Sequence, residues 1–178
     1  MNRVERWLLR QLEPNQSVEA VTELDPDTLW QQGLRGVALD FDNTIVAWHS
    51  PAPTAEVRDW LRRMQARGFR LTILSNAGRP KRVQRLAEET GLLYLARACK
   101  PFGFAYRRAL WQLDLPPAQV AMVGDQLMTD VLGGNRAGLW TVLVKPLVNR
   151  DFPLTRLNRA IERRALAWLR GKGKLPET

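Results

Sequence analysis

Asp40 and Asp42 close the apolar stretch GVAL at 36–39, with Phe41 between them. In an extended chain, residues two apart project to the same side. Two converging carboxylates repel, and one takes up a proton unless a cation offsets their charge. Magnesium suits such a pair because it takes hard oxygen ligands, commonly one or two carboxylates together with water and substrate phosphate. Asp125 follows another apolar run, VAMV at 120–123, and is a candidate further ligand. A carboxylate is also a nucleophile toward phosphorus, and such transfer rests on positioning and on neutralising charge at the phosphoryl oxygens. Lys100 offers a fixed positive charge for that purpose. The Ser75 hydroxyl and the Asn76 amide offer hydrogen bonds.

Other chemistries are short of residues. Cys99 is the only cysteine and His49 the only histidine. An intramolecular disulfide, a cysteine-based zinc site and a two-histidine zinc site are therefore excluded. A Ser-His-Asp triad would have to use His49. His49 lies in the loop VAWHSPAP, where a lone histidine is usually solvated, and it is not a candidate here. The net charge is +9, carried mostly by arginine, which favours phosphate-rich partners. The chain has 178 residues, 45% hydrophobic and 25% charged, the composition of one ordinary soluble domain. Neither a membrane-spanning run nor an apolar signal core is legible, so a cytoplasmic protein is expected.

The elements that must position these residues alternate. Strand patterns at 37–39, 70–74, 92–96, 120–123 and 140–144 are separated by helical patterns at 54–67, 80–91, 104–113 and 126–137. This alternation predicts an α/β fold, a Rossmann-like three-layer parallel sheet of about five strands with helices on both faces. Ligands in such sheets sit beyond the carboxyl ends of the strands. Asp40 and Asp42, Ser75 and Asn76, Lys100, and Asp125 all fall at those ends. A single domain over 1–178 is expected, with its core at about 36–146. An extension, 1–35, carries a short amphipathic helix with Val4, Trp7, Leu8 and Leu12 on one side. A basic helix, 154–170, carries a stripe of Leu154, Leu157, Ile161, Ala165 and Trp168. Each of these helices can dock on the core or lie on a membrane surface.

The segments DFDNT at 40–44, SNA at 75–77, KP at 100–101 and GDQLMTD at 124–130 resemble the four motifs of the haloacid dehalogenase (HAD) superfamily of phosphatases. The resemblance implies that Asp40 is the nucleophile and that Asp42 is the acid for the leaving group, then the base for water. It implies that magnesium is held by Asp40, the Asp42 backbone carbonyl and Asp125, with Asp130 supporting the metal from the second shell. Ser75 would bind the phosphoryl group, Lys100 would stabilise it, Thr44 would shape the motif loop, and Asn76 is a further candidate for substrate contact.

The gaps between motifs leave no room for a cap domain, which places the chain with the capless members, subclass III (IIIA). Its length, AWHSP after the first motif, the SNA form of the second and the tail LTRLNRAIERR resemble the YqeG family and the related mitochondrial phosphatidylglycerophosphate phosphatases. The resemblance implies a phosphorylated substrate, with phosphatidylglycerophosphate as candidate, presented as a lipid head group at an anionic membrane surface by a protein peripheral to it. The alternatives are a nucleotide or nucleic-acid end phosphatase and, from another class, a non-catalytic scaffold. No stable nucleic-acid partner is expected, because no nucleic-acid-binding module accompanies the site. An oligomer in which a partner closes the open site is compatible with this reading.

Overall fold

The computed structural model describes residues 3–76, 80–148 and 156–173, with the side chains of 4–6, 8 and 156–163 outside the description. Val4, Leu8, Ala77, Leu154, Leu157 and Ile161, named above, lie outside the described residues or side chains. Six strands form one parallel sheet: β1 (Gln16–Val18), β2 (Gly36–Leu39), β3 (Arg70–Leu74), β4 (Leu93–Leu95), β5 (Val120–Gly124) and β6 (Trp140–Val144). Their order is β1-β6-β5-β2-β3-β4. The five predicted strands are present, and β1 is a sixth. Gln-Ser-Val is too short and too polar to announce itself as a strand. It forms by pairing at the sheet edge, with Gln16 beside Val142 and Val18 beside Val144.

Strand β2 lies between β5 and β3, with Leu39 in register with both Val123 and Ile73. The chain moves outward from β2 through β3 and β4, then returns to the other side for β5 and β6. The direction of winding therefore reverses between β2 and β5, and the carboxyl ends of these strands face the crevice where such folds bind ligands. Both strands are buried along their whole length. Their side chains alternate between two apolar layers, as a period of two requires. The helices α1 (Arg3–Gln11) and α2 (Pro26–Gln31) precede β2 in the chain, and Val37, Leu39, Ala121 and Val123 pack on α3 (Ala55–Arg67) and α4 (Pro80–Thr90). Ala38, Val120 and Met122 pack on α5 (Gly103–Leu113).

Helix boundaries follow local chemistry. Thr54 caps α3 by accepting the Val57 N–H, and Gly68 ends it in the left-handed region at φ 102°. The turn-rich piece of the extension contains a short helix, 26–31, capped by Asp25, whose carboxylate accepts the Thr28 N–H at 2.8 Å. That piece is fastened to the core by the indole of Trp60, which donates to the Leu24 carbonyl at 2.8 Å.

The segment predicted as one helix over 126–137 is two. Leu127–Val131 forms a wide π-type turn, followed by the short helix Leu132–Ala137. At the ends of the chain, the helices Arg3–Gln11 and Arg156–Gly171 meet on this turn. Leu9, Leu12, Ala165 and Leu169 are buried against Leu127, Val131 and Leu132. Trp7, expected to share one side with Leu12, is 54% exposed, whereas Leu9 and Leu12 are buried. Among the described residues, only α3 separates β2 from β3 and only α4 separates β3 from β4, so no cap is inserted there.

Candidate active site

Asp40 begins where β2 ends, and its N–H still donates to the Val123 carbonyl at 2.8 Å, so the sheet itself fixes its backbone. Phe41 is fully buried in the layer beneath and anchors the loop between the two aspartates. The loop then reverses at Asn43, which adopts φ 62°, a conformation asparagine tolerates. The Asn43 N–H donates to Val46, and its side-chain oxygen accepts the Trp48 N–H at 3.2 Å. Asn43 thus shapes the motif loop. Thr44, expected in that role, is buried, and its hydroxyl has no hydrogen-bond partner among the described residues.

Lys100 reaches in after β4. Its ammonium donates to Asp40 Oδ1 at 2.5 Å and to Asp130 Oδ1 at 2.7 Å. All three side chains are buried. Burial alone would lower the lysine pKa, but the carboxylates of Asp130 and Asp40 outweigh it and hold the ammonium above the ordinary lysine range. Asn76 sets the position of Lys100. Its amide donates to the Lys100 carbonyl at 3.0 Å, and its carbonyl accepts the Lys100 N–H at 2.8 Å. Asn76 is exposed, but its amide is committed to this backbone. Ser75 is buried at the end of β3, where its backbone bonds to Leu95 and Ala98 tie that strand to the approach to Lys100.

Asp125 follows β5, and Asp130 returns beside it through the wide turn. The Gln126 carbonyl accepts the Asp130 N–H at 2.9 Å, and Asp130 Oδ2 accepts the Gln126 N–H at 3.1 Å. Tyr106 braces the turn by donating to the Thr129 carbonyl at 2.6 Å. This return needs Gly124, because a Cβ there would collide with the Asp130 carboxylate. Asp40, Asp125 and Asp130 each offer an oxygen within 4.8 Å of the other two. Expected as an outer support, Asp130 belongs to the cluster itself and is the second carboxylate on Lys100.

The trio fits a divalent cation. Three carboxyl groups share one ammonium, an excess of acidic groups that a divalent cation would offset. Asp125 Oδ1 is buried with no hydrogen-bond partner among the described residues. Burial, then the Asp40 and Asp130 charges, push Asp125 up to about 9. A magnesium ion would be held by Asp40, Asp125 and Asp130, and when bound it neutralises phosphoryl oxygens and orients the group for in-line attack.

The Asp42 carboxylate lies apart from the trio. It accepts from Arg82 Nη1 of α4 at 2.9 Å, and Arg82 Nη2 donates to the Ser50 carbonyl at 2.7 Å. The guanidinium also sits 5.2 Å over the Phe41 ring. Burial raises the Asp42 pKa, with Arg82 pulling the other way. Arg82 and Asn43 are the residues at this site that the sequence reading passed over. Asn43 stood inside DFDNT itself, and the basic run RPKR at 79–82 follows directly on the second motif.

Comparison with known proteins places this geometry. The HAD-hydrolase-like family matches residues 97–160. The chain is 38% identical over 162 residues to the "Probable phosphatase YqeG" of Bacillus subtilis (strain 168), covering 91% of this chain and 94% of that protein. It is 32% identical over 176 residues to "Phosphatidylglycerophosphate phosphatase 1, chloroplastic/mitochondrial" of Arabidopsis thaliana, covering 92% of this chain but only 49% of that one. The fold matches the crystal structure of an uncharacterized protein from Listeria monocytogenes serotype 4b with a TM-score of 0.54. That match has 21% identity and covers 78% of this chain and 99% of the other. A parallel sheet with a carboxylate trio and a lysine at its switch point defines a HAD-type hydrolase of phosphomonoesters. Within that superfamily, the chain belongs to the YqeG family of phosphatases.

Proposed function

We propose that this protein is a magnesium-dependent phosphatase that works through an aspartyl-phosphate on Asp40, with phosphatidylglycerophosphate as its substrate. The observation that carries the reading is the Lys100 ammonium held between Asp40 and Asp130 beside the unpartnered oxygen of Asp125. An Asp40 oxygen attacks phosphorus, and the bond from phosphorus to the ester oxygen breaks. The leaving alkoxide takes its proton from Asp42. In the second step, Asp42, now a carboxylate, accepts a proton from the attacking water. The water oxygen bonds to phosphorus, inorganic phosphate departs and Asp40 is restored. Lys100 offsets charge on Asp40 and on the phosphoryl oxygens throughout.

The lipid reading is supported by the named relatives and by the rim of the site. Phe102 is 64% exposed two residues after Lys100, and its ring stacks on that of the exposed Phe104, with centroids 6.1 Å apart. Arg107 and Arg108 are exposed one turn further along α5. Exposed aromatic and basic groups beside an open site suit a lipid head group at an anionic surface. No helix among the described residues is long and apolar enough to cross a membrane, so a peripheral position at that surface is part of the proposal. The test is phosphate release from phosphatidylglycerophosphate in mixed micelles with magnesium. Loss of release in Asp40→Asn is expected. Turnover confined to soluble phosphoesters, or to nucleotides and nucleic-acid ends, would overturn the lipid substrate.

A further inference from the structure

A cleft of about 580 Å³ opens beside Asp42, lined by Trp48 to Pro51 of the motif loop and by Lys81, Arg82 and Arg85 of α4. Its size is that of a small-ligand site. Among the described residues, the lining contains three cationic side chains and no carboxylate. We propose that this cleft is the subsite for a second anionic group of the substrate, a phosphodiester or second phosphate joined by a short carbon chain to the phosphomonoester being cleaved. The proposal rests on the phosphatase reading above and deepens it.

Three observations carry it. First, Arg82 belongs to both places. It lines the cleft and bonds Asp42, so an anion in the cleft lies one guanidinium away from the proton donor. A guanidinium has five N–H donors, and the bonds to Asp42 and the Ser50 carbonyl engage two of its nitrogens with one acceptor each. The remaining donors suit the forked recognition of a phosphate. Second, Lys81 and Arg85 stand four residues apart on α4 and therefore share a face. Arg85 is braced by Glu89 through its Nε at 3.0 Å, which leaves its two terminal nitrogens for a ligand. Third, the lining also includes Trp48 and Pro51, apolar surface for the carbon spacer. A site that reads a second anion provides selection without a cap domain, because binding energy from the non-reacting part of the substrate positions the reacting part.

The test uses two water-soluble substrates, so that no membrane enters. Glycerol 3-phosphate carries the phosphomonoester alone. Deacylated phosphatidylglycerophosphate, glycerophosphoglycerol phosphate, adds the phosphodiester. The wild-type protein with magnesium is expected to show a kcat/KM at least about tenfold higher for the second. The double variant Lys81→Ala/Arg85→Ala is expected to raise KM about tenfold for the second and to leave the first within twofold. Arg62→Ala/Arg63→Ala removes the same charge from the exposed face of α3 and is expected to leave the preference intact. Equal kcat/KM for both substrates in the wild type, or equal losses in both double variants, would overturn the proposal. Calorimetric titration with glycerophosphoglycerol, which has the diester and no cleavable monoester, separates the subsite from turnover. Binding that is present in the wild type and lost in Lys81→Ala/Arg85→Ala supports the subsite even if no phosphate is released. Absence of binding refutes it even if the phosphatase is active.

Discussion

Asn76 holds Lys100 by both backbone groups, donating to its carbonyl at 3.0 Å and accepting its N–H at 2.8 Å. The Lys100 ammonium is thus positioned from a neighbouring strand end rather than by its own loop alone. Asn76→Ala removes both bonds but leaves every charge in the trio. We expect kcat to fall roughly 10–100-fold with little change in KM, since a misplaced group costs most in the transition state. Asn76→Asp, which still accepts the Lys100 N–H, is expected to fall between the two. Steady-state kinetics on p-nitrophenyl phosphate checks both variants.

Lys100 has two separable consequences. In the proposed mechanism it offsets the charge of the nucleophile, so Lys100→Ala is expected to lower kcat by about 10²–10³-fold, the scale of losing one charged stabilising donor. It is also the only cation bonded to Asp40 and Asp130 among the described residues. Removing it leaves buried carboxylates uncompensated, which costs about 3–5 kcal/mol in metal-free protein. Urea unfolding in chelator would show that loss, and magnesium would restore part of it.

The pH dependence of stability follows from Asp125. Its carboxyl is raised from an ordinary 3.8 to about 9, by burial first and then by Asp40 and Asp130. A carboxyl raised in the folded state favours folding while it stays protonated, and that contribution is lost as pH climbs through the raised value. Metal-free protein is therefore expected to lose thermal stability between about pH 4 and pH 9. Magnesium should raise Tm most at the alkaline end, where the trio is most charged. Asp125→Asn should flatten both trends. Melting curves across that range, with chelator and with magnesium, test the sign.

Gly124 is required by contact rather than by flexibility. A Cβ there would overlap the Asp130 carboxylate and its Cβ. Gly124→Ala is expected to cost about 1–3 kcal/mol through overpacking in the buried strand. Displacement of Asp130 should also weaken magnesium binding about tenfold or more. Calorimetric titration of the metal measures that change independently of turnover.

Much of this architecture was legible because its signals are local. Apolar runs bounded by glycine and proline marked five strands, and Thr54 with Gly68 marked both ends of α3. The aspartates and Lys100 were legible because each closes a strand. What escaped depends on distance in sequence. The edge strand Gln16–Val18 exists through its pairing with β6, more than a hundred residues away. The wide turn at 127–131 has the composition of a helix, and only the need to bring Asp130 back under Gly124 distinguishes it. The commitment of Asp42 to Arg82 spans forty residues and leaves no periodic trace.

The helices Arg3–Gln11 and Arg156–Gly171 both close on the turn that carries Asp130. During synthesis the second of them emerges after every strand of the described sheet. Until it arrives, Leu127 and Val131 lack the cover of Ala165 and Leu169, and the Asp130 side of the trio rests on a half-built wall. The strands that carry Asp40 and Asp125 can therefore pair before Arg156–Gly171 covers the Asp130 side of the trio.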